Sequence, residues 1–138
     1  MDELSVLKYI REALPEAEAV EASGNYFFFR NTDGLPKDHR FPFATLVVSD
    51  EYDHFSNLNR PGVFRLNIGL SKVAFDGLLG AAATSARDGT YDYTALDTFM
   101  PHPVYGKMHW VCVLNPSDAT FNDTVKGLLA EAYDRAKK

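Results

Sequence analysis

His102 stands between Pro101 and Pro103, with Tyr105 two residues further on. Proline fixes its own φ and pushes the preceding residue to extended backbone, so Pro-His-Pro is a stiff segment that holds an imidazole in one place. Imidazole titrates near neutral pH, and a carboxylate or phenol beside it can orient it. His102 with Asp97 or Tyr105 is therefore a candidate general acid–base group. The competing reading is a loop histidine whose ring bonds to backbone. Arg30 and Arg65 supply a second candidate chemistry. Each lies on a segment of strand-like pattern, and with Thr45 and Asn67 they share one sheet face if the strands pair in register. Tyr26 and Phe28 have the parity of Arg30 and would lie beside it. Guanidinium forks among aromatic rings suit an anionic small molecule. A half-solvated antiparallel sheet with arginines lying across it produces the same pattern. The candidate ligand-binding residues are Arg65, His102, Tyr105, Arg30 and Asp97.

Other chemistries find less support. Asp38-His39, Asp53-His54, His102 and His109 lack the helical i, i+4 pair or Cys/His cluster of a metal site. Asp50, Glu51 and Asp53 match no calcium loop and read as a solvated acidic turn. Cys112 lies between Val111 and Val113, the setting of an inert buried thiol rather than a nucleophile. His109 opens a strand and reads as a satisfied structural histidine. There is no Gly-x-Ser-x-Gly elbow and no phosphate-binding glycine loop, and the sequence implies no cofactor. Whether the protein is an enzyme is left open.

The whole chain constrains what these residues can serve. Its 138 residues suit one domain over 1–138, and 46% hydrophobic with 24% charged residues is ordinary for a soluble globular protein. A net charge of −5 provides no broad positive field, so nucleic acid is an unfavoured partner. No stretch reaches the roughly 20 apolar residues of a membrane span. The first residues lack the pattern of a signal peptide, and the single cysteine forms no internal disulfide, which together point to the cytoplasm.

The elements that would position the candidates follow from periodicity. Leu4, Leu7, Ile10 and Leu14 recur at helical spacing behind Asp2, predicting a helix over 3–14. Residues 19–22 and 26–30 form a hairpin around Ser23-Gly24-Asn25. After a polar loop from Asn31 to Arg40, residues 41–49 form a third strand. Pro61-Gly62 suits a type II turn, and residues 63–70 alternate clearly, with Phe64, Leu66, Ile68 and Leu70 on the core face. Ser71 caps a short helix over 72–79. Residues 80–96 read as a surface loop or partly helical lid crossing the sheet. His109 to Leu114 is a central strand with both faces apolar, with Trp110 buried on it, and Asn115-Pro116 ends it. The last helix carries the stripe Phe121, Val125, Leu128, Leu129, Ala132 and Ala136. Strand runs with helices at the ends predict an α+β fold: one antiparallel sheet of four or five strands packed by the N- and C-terminal helices.

Several runs resemble an uncharacterised bacterial domain-of-unknown-function family: residues 60–70 (RPGVFRLNIGL), 93–98 (YTALDT), 101–106 (PHPVYG), 110–116 (WVCVLNP) and 129–133 (LAEAY). That resemblance covers nearly the whole chain and implies no activity. Lys107, His109 and Trp110, with Ala132-Tyr133, also resemble the strand entry and chain end of MmcQ/YjbR-like proteins. This implies a similar topology and, by analogy with double-wing folds, DNA binding. The functional expectation is a small-ligand site, with an anionic ligand in view, beside residues 91–106. The alternative is a protein- or DNA-interaction module without catalytic activity.

Overall fold

In the computed structural model, which describes residues 1–30, 41–80 and 91–136, Asp2 caps the first helix by accepting from the Ser5 amide at 2.8 Å. This helix, α1, spans Glu3–Ala13 and buries Val6, Leu7 and Ile10. Strands β1 (Ala17–Ala22) and β2 (Asn25–Arg30) form an antiparallel hairpin whose closing pair is Ala22 with Asn25. Ser23 and Gly24 make the two-residue turn with φ of 54° and 83°, the positive values that match the twist of the flanking strands. Strands β3 (Ala44–Val47) and β4 (Arg65–Gly69) continue the meander.

Ser71 then caps α2 (Lys72–Leu79) through its side chain. Strand β5 (Met100–Pro101) leads through a 3-10 turn, Gly106–Met108, into β6 (Trp110–Leu114). Strand β6 inserts between β4 and β5, giving the sheet order β1-β2-β3-β4-β6-β5 with every pairing antiparallel. The chain finishes through a helical turn Asp118–Thr120, a π-helical stretch Phe121–Val125 and an α-helix Lys126–Arg135. Ser117 provides the cap, accepting from the Thr120 amide at 3.1 Å.

The fold is α+β as the pattern predicts, with six strands where four or five were expected. The additional strand is β5. Two residues, one of them proline, carry no period-2 signal, and Pro101 has no N–H to donate to a ladder. The predicted loop at Asn31 to Arg40, the 81–90 part of the predicted lid, and Lys137-Lys138 lie outside the described residues.

Register separates the two sheet faces. Phe28, Ala44 and Ile68 align on one face, and Phe27, Thr45, Asn67 and Cys112 on the other. The first face meets the helices. Phe28, Leu46, Leu66, Ile68, Val111 and Val113 pack with Ile10 of α1, Phe75 of α2, and Phe121, Val125 and Leu129 of the C-terminal helix. The second face carries a smaller cluster of Val47, Leu58, Met100, Cys112 and Leu114, onto which Val63, Tyr91 and Tyr93 fold. Leu96 bridges Leu114 in parallel, so residues 91–101 do run along this face. They cover only one end of it.

Candidate functional site

At the uncovered end of the second face lies a cavity of about 620 Å³. Thr45, Arg65, Asn67, Gly69 and Trp110 belong to its floor. His102, Val104, Tyr105 and Met108 contribute from the segment before β6, Tyr52 and Asp53 from the loop after β3, and Phe27 and Phe41–Phe43 from the β2–β3 side. The volume falls within the range of small-molecule pockets, roughly 300–1,000 Å³.

Arg65 is the organising residue of the floor. Its strand position aims the side chain at the second face, yet it is only 1% exposed. A buried guanidinium is tolerated only when paired and hydrogen-bonded. Asp53 meets it as a fork, with Nη1 to Oδ1 at 3.0 Å and Nη2 to Oδ2 at 2.6 Å. Nη1 also donates to Ser56 Oγ at 2.9 Å, and Nε to Asn67 Oδ1 at 2.9 Å. Asn67 Nδ2 in turn donates to Thr45 Oγ1 at 2.9 Å. Burial alone would raise the Asp53 pKa, but the bonded, charged Arg65 more than offsets it and holds the carboxyl below its ordinary value. Asp53 is thus no part of a solvated acidic turn. It clamps the 50–60 loop to the sheet.

His102 is built into the loop as firmly. Its amide donates to Trp110 O at 2.8 Å, and its carbonyl accepts from Gly106 at 2.9 Å. Nδ1 accepts from the amides of both Val104 and Tyr105 at 3.0 Å. A nitrogen that receives two N–H bonds has no room for a proton, so the ring is neutral and carries its hydrogen on Nε2. Burial, the positive charge of Arg65 and, in opposition, Asp53 leave the His102 pKa lowered from 6.5 to about 3. An imidazole of that pKa stays neutral at physiological pH. It is a fixed hydrogen-bond donor rather than a general base. The ring is 7% exposed and lies 5.0 Å from that of Tyr105, which is 51% exposed. Gly106 has its place because a Cβ there would stand 3.0 Å from Pro101 Cβ.

The structure brings Arg65, His102 and Tyr105 to one cavity. Arg30 and Asp97 are elsewhere. Arg30 shares the parity of Phe28, as expected, but that is the helix face. Its guanidinium lies 3.9 Å over the Tyr133 ring, donates to Tyr133 O at 3.0 Å and pairs with Glu16 at 2.9 Å. It fastens the C-terminal helix to the hairpin. Asp97 accepts from the Ser117 amide at 2.9 Å with its own φ at 55°, joining the chain before β5 to the start of the last helical segment. Trp110, expected to be buried, is half-buried and lies along Gly69 on the cavity floor. Cys112 is a buried thiol pushed up to about 12, first by desolvation, and so inert. His109 meets Phe75 edge-on at 5.5 Å, a structural contact. Asp53, Ser56 and Trp110 are the site residues that sequence reasoning missed. The usable signal was Arg65 itself: a cation in the middle of an apolar strand requires a carboxylate from another segment. Among the described residues, no three of His, Cys, Asp and Glu converge as a metal site would require.

A family model covers residues 1–138, the full length of the chain, and it describes a family of unknown function. The chain belongs to DUF6194. No curated protein and no solved structure matches it. Nothing in these comparisons bears on the likeness to MmcQ/YjbR proteins. For this DUF6194 member the functional reading therefore rests on the cavity. Among its described residues, no helix is long and apolar enough to cross a membrane.

Proposed function

We propose that the chain is a small-ligand-binding domain whose ligand occupies the cavity between the second sheet face and residues 102–108. The observation that carries this reading is the composition of the cavity. A buried hydrogen-bonded network forms the floor, and the rings of Phe27, Phe41, Tyr52, Tyr105 and Trp110 surround it. Binding sites combine this apolar lining with a few fixed polar groups. Preorganisation supports it further. The prolines, the His102 bonds and the Asp53–Arg65 fork order the walls before any ligand arrives, which reduces the entropy lost on binding. A −5 net charge leaves nucleic acid outside the reading.

The rival reading is a protein contact, and it draws on the rim. Phe41 is 88% exposed and Met108 66%, with Val104 and Tyr105 beside them. The two readings differ in depth. A ligand must reach the floor, whereas a protein partner touches the rim alone. Trp110 is the sole tryptophan and stands on the floor, so its fluorescence separates them. Titration of a metabolite library should find compounds that shift or quench Trp110 emission and raise the melting temperature together. A library with no such member, with Tyr105→Ala and Met108→Ala both abolishing capture of a protein partner, would overturn the ligand reading.

A further inference from the structure

We infer that the cavity selects an uncharged, planar ligand that presents hydrogen-bond acceptors, a carbonyl oxygen or ring nitrogen, to the Nε2–H of His102 and the amide of Asn67. This rests on the small-ligand reading above and adds the chemical class.

Of the five N–H of Arg65, four are used: one on Nε toward Asn67, two on Nη1 toward Asp53 and Ser56, and one on Nη2 toward Asp53. Its charge is balanced at contact distance by Asp53, so the floor is electrically neutral as a pair. The Asp53 oxygens accept from Arg65 and, at 3.3 Å, from the Phe55 amide. Asn67 Oδ1 is engaged by Arg65, but its Nδ2 has two hydrogens and donates one to Thr45. His102 Nδ1 is occupied by two amides, and Nε2–H forms no hydrogen bond to another described residue. Four hydrogens on this floor therefore have no acceptor among the described residues: His102 Nε2–H, the second Asn67 N–H, the Thr45 hydroxyl hydrogen and one Arg65 N–H.

A donor that a ligand covers without supplying an acceptor costs free energy, so a ligand that brings acceptors to these hydrogens is favoured over one that brings only donors. A carboxylate would supply acceptors too. On the buried floor its charge, however, would be desolvated beside a guanidinium whose counter-charge is already in place, which is disfavoured; the other arginine of the lining, Arg135, is exposed rather than part of that floor. The aromatic surroundings favour a flat ligand, because ring faces stack with offset or edge geometry.

The test uses three probes of one skeleton: 2-quinolone (neutral lactam), quinoline-2-carboxylate (anion) and 2-(aminomethyl)quinoline (cation). Each is titrated against the full chain at neutral pH with Trp110 emission and melting temperature as readouts. The neutral lactam should bind at least tenfold more tightly than either charged probe. His102→Asn places an amide oxygen where Nδ1 accepts from Val104 and Tyr105, and so retains the loop anchor, but it removes the Nε2–H. It should weaken lactam binding about tenfold, the effect of losing one good hydrogen bond, without changing rank among the probes. Tighter binding of the carboxylate or the cation overturns the ligand class and leaves the cavity reading intact. Lactam affinity unchanged in a folded His102→Asn overturns the role of His102. If that variant does not fold, the rank order of the three probes on the unaltered chain still decides the class. Failure of all three probes, and of the neutral dye Nile red, to perturb Trp110 would overturn the cavity reading itself.

Discussion

A single buried cation ties together the polar end of the second sheet face. Arg65 ties Asn67, Ser56 and Asp53 together, and through Asp53 it holds the 50–60 loop against β4. Removing one member leaves the others buried and unmatched. Arg65→Ala should therefore cost about 3–5 kcal/mol, the range for breaking a buried ion pair from one side. Asp53→Asn should cost nearly as much. The double variant Asp53→Asn/Arg65→Met should cost clearly less than the sum, because it removes both charges together. A double-mutant cycle by chemical denaturation measures this. Additive losses would mean that the pair is not coupled as its 2.6 Å contact requires. The residue was legible as a site candidate from its alternating strand. Its partner was not, since Asp53 lies 12 positions away in a loop whose path no local pattern specifies.

At the scale of elements, two of the segments that line the cavity have a glycine where a strand or turn comes close to a ring. A Cβ on Gly69 would stand 2.8 Å from Trp110 Cε2. Gly69→Ala must tilt the indole, and the open side is the cavity. We expect a destabilisation of about 1–3 kcal/mol, typical of overpacking, together with a changed Trp110 emission spectrum. An unchanged spectrum would show that β4 shifts instead. Asp97 gives the opposite case, a predicted site residue that turns out to serve the chain path. Asp97→Ala should lower the melting temperature while leaving every ligand affinity as it was, and thermal shift with Trp110 titration tests both halves. Strand parity was correctly readable within each strand. Tyr26, Phe28 and Arg30 do share a face, as do Thr45, Arg65 and Asn67. What parity within a strand cannot supply is the relative phase of two strands separated by a loop, and a one-residue difference in pairing sends Arg30 to the helices and Arg65 to the cavity. The short β5 escaped for a related reason: its membership of the sheet comes from tertiary pairing with Val111 and Cys112, not from its own composition.

Taken as a whole, the molecule places apolar helices on one face and a partly covered polar floor on the other, and that arrangement has a consequence for stability against pH. His102 is held neutral in the fold with a pKa of about 3, against 6.5 for an ordinary histidine. Between those values the unfolded chain binds a proton that the folded chain refuses. Stability from this group is thus fully present above pH 6.5 and is lost as pH falls toward 3. The slope approaches about 1.4 kcal/mol per pH unit, so lowering pH from 7 to 5 should remove about 2 kcal/mol. Asp53 acts in the same direction, but only further down. Its folded pKa lies below 3.8, and its contribution is lost as pH falls from about 4 through that lower value. The window from pH 7 to 5 therefore isolates the histidine from the Asp53 carboxylate. Urea denaturation at half-unit intervals in that window should show a steady loss for the native chain and a flatter profile for His102→Asn, which has no imidazole to protonate. Parallel profiles would mean that His102 accepts a proton in the folded state, and that the double amide contact at Nδ1 yields under acid.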